Sequence, residues 1–199
     1  TEETRMDMIL ASKSPGRRAL LEQMGVKDFR ILTPDIDEHM DRELPPAELV
    51  RQISLEKAQA VAAQADPNAV IIAADTVVAL DGAVLGKPAD EEEAFRMLSL
   101  LSGNRHQVYT GLTVLRGEQV FSQWEETSVT FRPLTAEEIE AYIATGEPMD
   151  KAGAYGIQGY GALFIEGISG DYYNVMGLPV CRLGQILGQL GMNCMALAA

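Results

Sequence analysis

The sequence predicts an α/β fold, with a mixed, elongated sheet flanked by helices, and three observations carry that prediction. Short apolar or β-branched runs alternate with amphipathic stretches early in the chain, as strands and helices of such a fold do. Hairpin-like runs dominate the middle, so the sheet is not purely parallel. The 199 residues are 47% hydrophobic, enough to bury a sizeable core within one domain spanning 1–199.

Ile9-Leu10-Ala11 reads as a first strand. Ser14-Pro15 follows as an N-cap with proline at the first helical position, and Leu20, Leu21 and Met24 give that helix an apolar stripe up to Gly25. A second strand covers 29–32, ahead of the acidic loop containing Asp35, Asp37, Glu38 and Asp41. Pro45-Pro46 opens a helix to about Ala65, with Leu49, Ile53, Ala60 and Val61 at helical spacing. The run 70–80 is a buried strand that Asp75-Thr76 interrupts, and Asp81-Gly82 turns it back through 83–85. Asp90 with Glu93, and Thr135 with Glu138, are capping boxes that start two further helices. Between those helices lie three strand-like runs, 107–115, 119–124 and 127–131. A glycine-rich tract runs from 153 to 177, and a last helix covers about 178–190.

The net charge of −13 argues against nucleic acid as a partner, since a phosphate backbone needs a basic face. Single nucleotides stay open, because a few cations and backbone N–H groups suffice locally. Cys181 and Cys194 form no zinc pattern, and a reducing compartment suits two cysteines better than a disulfide framework does. No apolar stretch approaches the ~20 residues of a membrane span, and the first residues lack the order of a signal peptide. The expected location is the cytoplasm, with no membrane partner.

Several segments carry candidate chemistry. A strand running into a helix start gathers free N–H groups and the positive end of the helix dipole; with Ser12, Arg17 and Arg18 it suits a polyphosphate, although an ordinary N-cap with solvated arginines reads the same way. Asp75 is the sharper signal. Aspartate is depleted in strands, and a buried carboxylate needs a cation or a metal; a residue that merely caps the strand end is the plain alternative. Lys57 and Lys87 gain meaning only as members of a set, and each alone reads as a surface lysine. The acidic loop offers oxygen ligands to a hard cation but lacks the spacing of an EF-hand. The run Asp150 to Gly159 is dense in glycine, which marks a close backbone approach or a tight turn, and Gln158 within it can read a base edge. His39 and His106 are isolated, and Trp124 reads as core.

Taken together, Ile9-Leu10-Ala11-Ser12-Lys13-Ser14-Pro15, Glu56-Lys57-Ala58, Ala74-Asp75-Thr76-Val77-Val78, Gly86-Lys87-Pro88, Tyr109-Thr110-Gly111, the run Asp150 to Gly159, and Asn174 to Pro179 resemble the Maf family of septum-formation proteins. The resemblance spans almost the whole chain in one order. It implies a fold similar to the inosine triphosphate pyrophosphatases, with two lobes around a cleft. It implies a cytoplasmic, commonly dimeric nucleoside triphosphate pyrophosphatase that needs a divalent cation, Mg²⁺ or Mn²⁺. In that reading Asp75 accepts the proton of the attacking water, Glu38 and Asp75 hold the metal, and Ser12, Arg17, Lys57 and Lys87 surround the phosphates. Thr76 and Gln158 look like the specificity residues of the dTTP/UTP branch; the 7-methyl-GTP branch carries Gln and Glu there. Gly16 departs from the pattern, standing where the dTTP/UTP branch has the first arginine of Ser-Pro-Arg-Arg. Two rivals remain: a nucleotide-binding regulator of septum formation without turnover, and a pyrophosphatase for modified or purine triphosphates.

Overall fold

The computed structural model describes residues 7–34, 36 and 43–198. β1 (Met8–Leu10), α1 (Pro15–Gln23) and β2 (Arg30–Ile31) come first, followed by α2 (Pro46–Ala62) and the long strand β3 (Val70–Leu80). β4 (Ala83–Leu85) returns from β3 through Asp81-Gly82, both at positive φ (50° and 81°), as a two-residue hairpin requires. Then come α3 (Glu91–Leu101), β5 (Arg105–Arg116), β6 (Gln119–Phe131) and α4 (Ala136–Ala144). Three short 3₁₀ segments at Glu147–Asp150, Ala152–Ala154 and Tyr160–Phe164 precede β7 (Ile165–Ser169), α5 (Tyr172–Met176), α6 (Val180–Gln189) and α7 (Cys194–Leu197).

The sheet is mixed, as the sequence predicts. Its order is β2-β1-β3-β5-β6-β7, with β4 also on β3; β1 runs parallel to β2 and β3, and the other pairings are antiparallel. One edge of β3 is paired with β5 from Ile71 to Ala79. The opposite edge changes partner along its length: β1 covers Val70 to Ile72, and β4 covers Val78 to Leu80. Among the described residues, Ala73 to Val77 have no strand on that side. The backbone opens there, at the carboxyl end of β1, which is where ligands of open α/β sheets gather.

Alternation along β3 sends successive side chains to opposite faces. Ile72 and Ala74 pack with Leu20, Leu21, Leu183 and Leu187 of α1 and α6, while Ile71 and Ala73 pack with Ala58 and Val61 of α2. Past the opening, Val78 joins a separate core built from α3, α4 and the 152–155 segment, with Leu98, Phe131, Ile139 and Tyr155.

Three sequence expectations need correction. Asp75-Thr76 does not interrupt β3 but lies at its middle, because a polar pair is tolerated where the edge has no strand partner. Residues 119–131 form one strand and not two; the Glu125-Glu126 break is only apparent, since this stretch borders the sheet and charges suit an edge, Glu125 pairing with Arg182 at 2.7 Å. Trp124 is not core: it is 40% exposed on that strand and lines an open groove with Arg51 and Arg182. β7 and α5 lie inside the glycine-rich tract. Of the two expected capping boxes, Thr135/Glu138 is complete, whereas at Asp90 the side chain accepts from the Glu93 N–H.

Candidate active site

The opening in β3 is where the expected residues converge. Lys57, on the buried face of α2, reaches across to Asp75: its Nζ lies 3.2 Å from Asp75 Oδ1 and 3.3 Å from the Ala74 carbonyl. Both residues are nearly buried, Lys57 at 7% and Asp75 at 8% exposure. α2 can lie this close because β5 carries Gly111 directly opposite Asp75; a Cβ there would overlap the Val50 carbonyl of α2. Two charges withdrawn from water cost several kcal/mol each, roughly, so such a pair adds little stability and is retained for what it does.

Thr76 faces the other side of the sheet, where α1 begins. Ser14 caps α1, its hydroxyl accepting from the Arg17 N–H at 3.3 Å, with Pro15 in the first turn. That geometry throws the Arg17 guanidinium back over the β1 terminus. It donates to Ser12 Oγ (3.2 Å), Thr76 Oγ1 (3.0 Å) and the Gly177 carbonyl (2.8 Å), joining three separate segments. Thr76 is further bonded to Thr110 (2.9 Å), opposite it on β5, and Thr110 donates to the Asn174 carbonyl (3.1 Å). The direction of this chain is fixed at both ends. Arginine only donates and a carbonyl only accepts, so the Thr76 hydroxyl receives from Arg17 and gives its own proton to Thr110. The Thr76 hydroxyl therefore has acceptor capacity left and no donor. Asn174 is held in turn, its amide donating to the Val108 carbonyl (3.1 Å) and to Thr127 (3.0 Å).

The structure thus brings together Lys57 with Asp75 on one face, and Ser12 with Arg17 and Thr76 on the other, joined at the 75–76 peptide. Lys87 follows β4, which pairs with β3 past the opening, at Val78 to Leu80. Lys87 is exposed just past β4, and the bond from the Gly153 N–H to the Gly86 carbonyl (3.1 Å) ties its loop to the tract bearing Gln158, which is also exposed. Gly16 lies in the first turn of α1, where a Cβ would meet only ordinary contacts at 3.7 Å, so the missing arginine is not excluded by space. Glu38, with Asp35, Asp37 and Asp41, lies outside the described residues. Among the described residues no group of three or more His, Cys, Asp or Glu gathers into a metal site. Asp75 alone still fits a hard cation that arrives with a polyphosphate, since Mg²⁺ commonly takes one or two carboxylates plus phosphate oxygens.

Sequence reasoning missed Thr110, Asn174 and Gly177 as partners of Arg17 and Thr76. They lie in the matched segments, but nothing local marks a hydroxyl or a carbonyl as belonging to a site tens of residues away. His106 is buried and bonded to Tyr155 at 2.7 Å, remote in role from these residues. Among the described residues no helix is long and apolar enough to cross a membrane.

Known proteins resemble this chain at two levels. A protein from Coxiella burnetii described as a HAM1 protein superposes with a TM-score of 0.51 over 92% of this chain and 99% of its own, at 12% identity, which is a likeness of fold. At the level of sequence, a protein of Symbiobacterium thermophilum named dTTP/UTP pyrophosphatase is 53% identical over 184 residues, 92% of this chain and 94% of that protein. One of the same name from Moorella thermoacetica is 50% identical over 189 residues, covering 94% and 96%. The sequence profile of the family described as Maf-like protein matches residues 7–190, from β1 to the end of α6, and includes every described residue of the site; the chain belongs to that family.

Proposed function

We propose that this chain is a nucleoside triphosphate pyrophosphatase that hydrolyses dTTP- and UTP-type nucleotides between the α and β phosphates, releasing the monophosphate and pyrophosphate. The observation that carries the reading is the buried Lys57–Asp75 pair at the opening of β3, one peptide away from the Arg17–Thr76 junction. The names of the relatives described above support the substrate class, and the net charge of −13 favours a free nucleotide over nucleic acid.

In this reading Ser12, Arg17, Lys57 and Lys87 surround the triphosphate. Asp75 takes the proton of the attacking water, a task suited to a carboxylate whose position an adjacent ammonium fixes. Thr76 and Gln158 read the base. A divalent cation, Mg²⁺ or Mn²⁺, supplies charge neutralisation for the phosphates, with Asp75 and Glu38 as its protein ligands. Phosphoryl chemistry rests on positioning and charge, so no covalent intermediate is needed. A cytoplasmic homodimer is the setting that the family resemblance supports.

Product analysis tests the reading. With dTTP and Mg²⁺ or Mn²⁺, the expected products are dTMP and pyrophosphate over many turnovers. Release of inorganic phosphate and dTDP, or binding with no turnover on any triphosphate, would refute it, as would a clear preference for 7-methyl-GTP.

A further inference from the structure

One carboxylate outside the catalytic cluster has an unusual concentration of donors. Glu147, at the end of the turn that follows α4, accepts from the Tyr160 N–H (2.9 Å), from the Gly161 N–H (3.1 Å) and from the Tyr142 hydroxyl. Tyr142 in turn accepts from the Gly156 N–H at 3.1 Å. Its hydroxyl proton goes to Glu147, which desolvation and that carboxylate hold on the oxygen by pushing the phenol well above its ordinary range. The chain therefore runs one way, from Gly156 through Tyr142 into Glu147, and from the other end of the same loop directly into Glu147.

These bonds close residues 156–161 at both ends. The three glycines of the loop leave no room for anything else. A Cβ at Gly159 would overlap the Glu147 carboxylate, one at Gly161 would overlap the Gly156 carbonyl, and one at Gly156 would strike the Lys151 stem. Within this closed loop Gln158 is exposed, at the turn between the two anchors. A loop stapled by a tyrosine and a glutamate, and stripped of side chains where it touches them, holds the backbone of one amide residue still.

We propose that Tyr142 and Glu147 are positioning residues for base recognition: they fix the 156–161 loop so that Gln158 meets the nucleotide base without an ordering cost at binding. The inference rests on the pyrophosphatase reading above. Preorganisation of this kind lowers the cost of binding and leaves the chemical step alone. Neither residue is bonded to Ser12, Arg17, Lys57 or Asp75, so its loss should move KM and base preference while sparing kcat.

The test uses Tyr142→Phe, which keeps the packing and removes the hydroxyl, and Glu147→Gln, which turns one of two acceptor oxygens into a donor. Ile143→Val, a truncation in the same core on the same helix, serves as control. For Tyr142→Phe the KM for dTTP should rise roughly tenfold, the value of one hydrogen bond. Its kcat should stay within about twofold of wild type, and the preference for dTTP over GTP should narrow. Glu147→Gln should follow, and Ile143→Val should leave KM and preference in place. Amide hydrogen exchange of the unliganded proteins reads the loop directly: Gly156, Tyr160 and Gly161 should exchange faster in both variants. Faster exchange with unchanged KM and base preference would overturn the inference alone, as would unchanged exchange. Absence of turnover of any triphosphate by the wild-type protein would overturn the pyrophosphatase reading and the role in base reading with it.

Discussion

Thr110 stands between two fixed partners, taking a proton from Thr76 and giving its own to the Asn174 carbonyl. Nothing in its sequence surroundings, Tyr109-Thr110-Gly111, announces this role beyond the match to a family segment. Asp75 is different: an acid inside an apolar run is visible in the sequence, because burial of a lone carboxylate is costly enough to demand a partner. The partner itself, Lys57, was legible only as one of several candidate cations, since a lysine on a helix is solvated more often than not. Thr110→Val keeps the shape and breaks the chain, leaving Thr76 free to rotate and the buried Asn174 carbonyl without its hydroxyl. The expected outcome is a loss of roughly 1–3 kcal/mol in unfolding free energy. A raised KM for the nucleotide should accompany it, and Thr110→Ser should restore both. Denaturant titration and steady-state kinetics on the two variants check this.

At the scale of elements, what matters is how close α2 lies to the sheet. The apolar spacing of Leu49, Ile53 and Val61 predicts the helix, and the structure buries those residues against β3 and β5. The approach distance is set by a residue on another element, Gly111, whose missing side chain admits the α2 backbone at Val50. Gly111→Ala therefore has no soft neighbour to displace. It should push α2 outward, lower the melting temperature by several degrees, on the order of 1–3 kcal/mol for overpacking, and separate Lys57 from Asp75. Activity should fall more than stability accounts for. Melting temperature and kcat of this variant decide the matter, and retention of both would show that α2 does not depend on this contact. In β6 and β3 alike, a charged or polar pair that looks like a strand end in the sequence marks a strand edge without a neighbour. Edge exposure depends on which other strands arrive, and a local pattern does not carry that.

Across the whole molecule, three apolar cores draw on one continuous strand, Ile71 and Ala73 belonging to the core with α2. Val70, Ile72 and Ala74 belong to the core with α1 and α6; Val78 belongs to the core with α3 and α4. The mixed sheet flanked by helices was legible from alternation and hairpin signals. The change of edge partner along β3, which makes the site, was not, because it arises from β1 and β4 ending short of each other. The second core carries a pH liability. His106 is fully buried between Phe131 and Tyr155, and desolvation lowers its pKa from 6.5 to about 4. The neutral ring is the folded form. Its contribution is therefore complete above pH 6.5 and is lost as the pH falls from 6.5 towards 4, by about 3 kcal/mol at the lower end. Thermal unfolding between pH 4 and 8 should show this slope, and His106→Phe should flatten it. Asp75 lies on β3 between Ala74 of the one core and Val78 of the other, and the proposed chemistry depends most on what that residue does there. Asp75→Asn compared with wild type for dTTP binding and pyrophosphate release, in one Mg²⁺ buffer, tests it most directly. Binding should survive while release falls roughly 10²–10⁴-fold, the usual worth of a general base. Release at the wild-type rate would contradict the account.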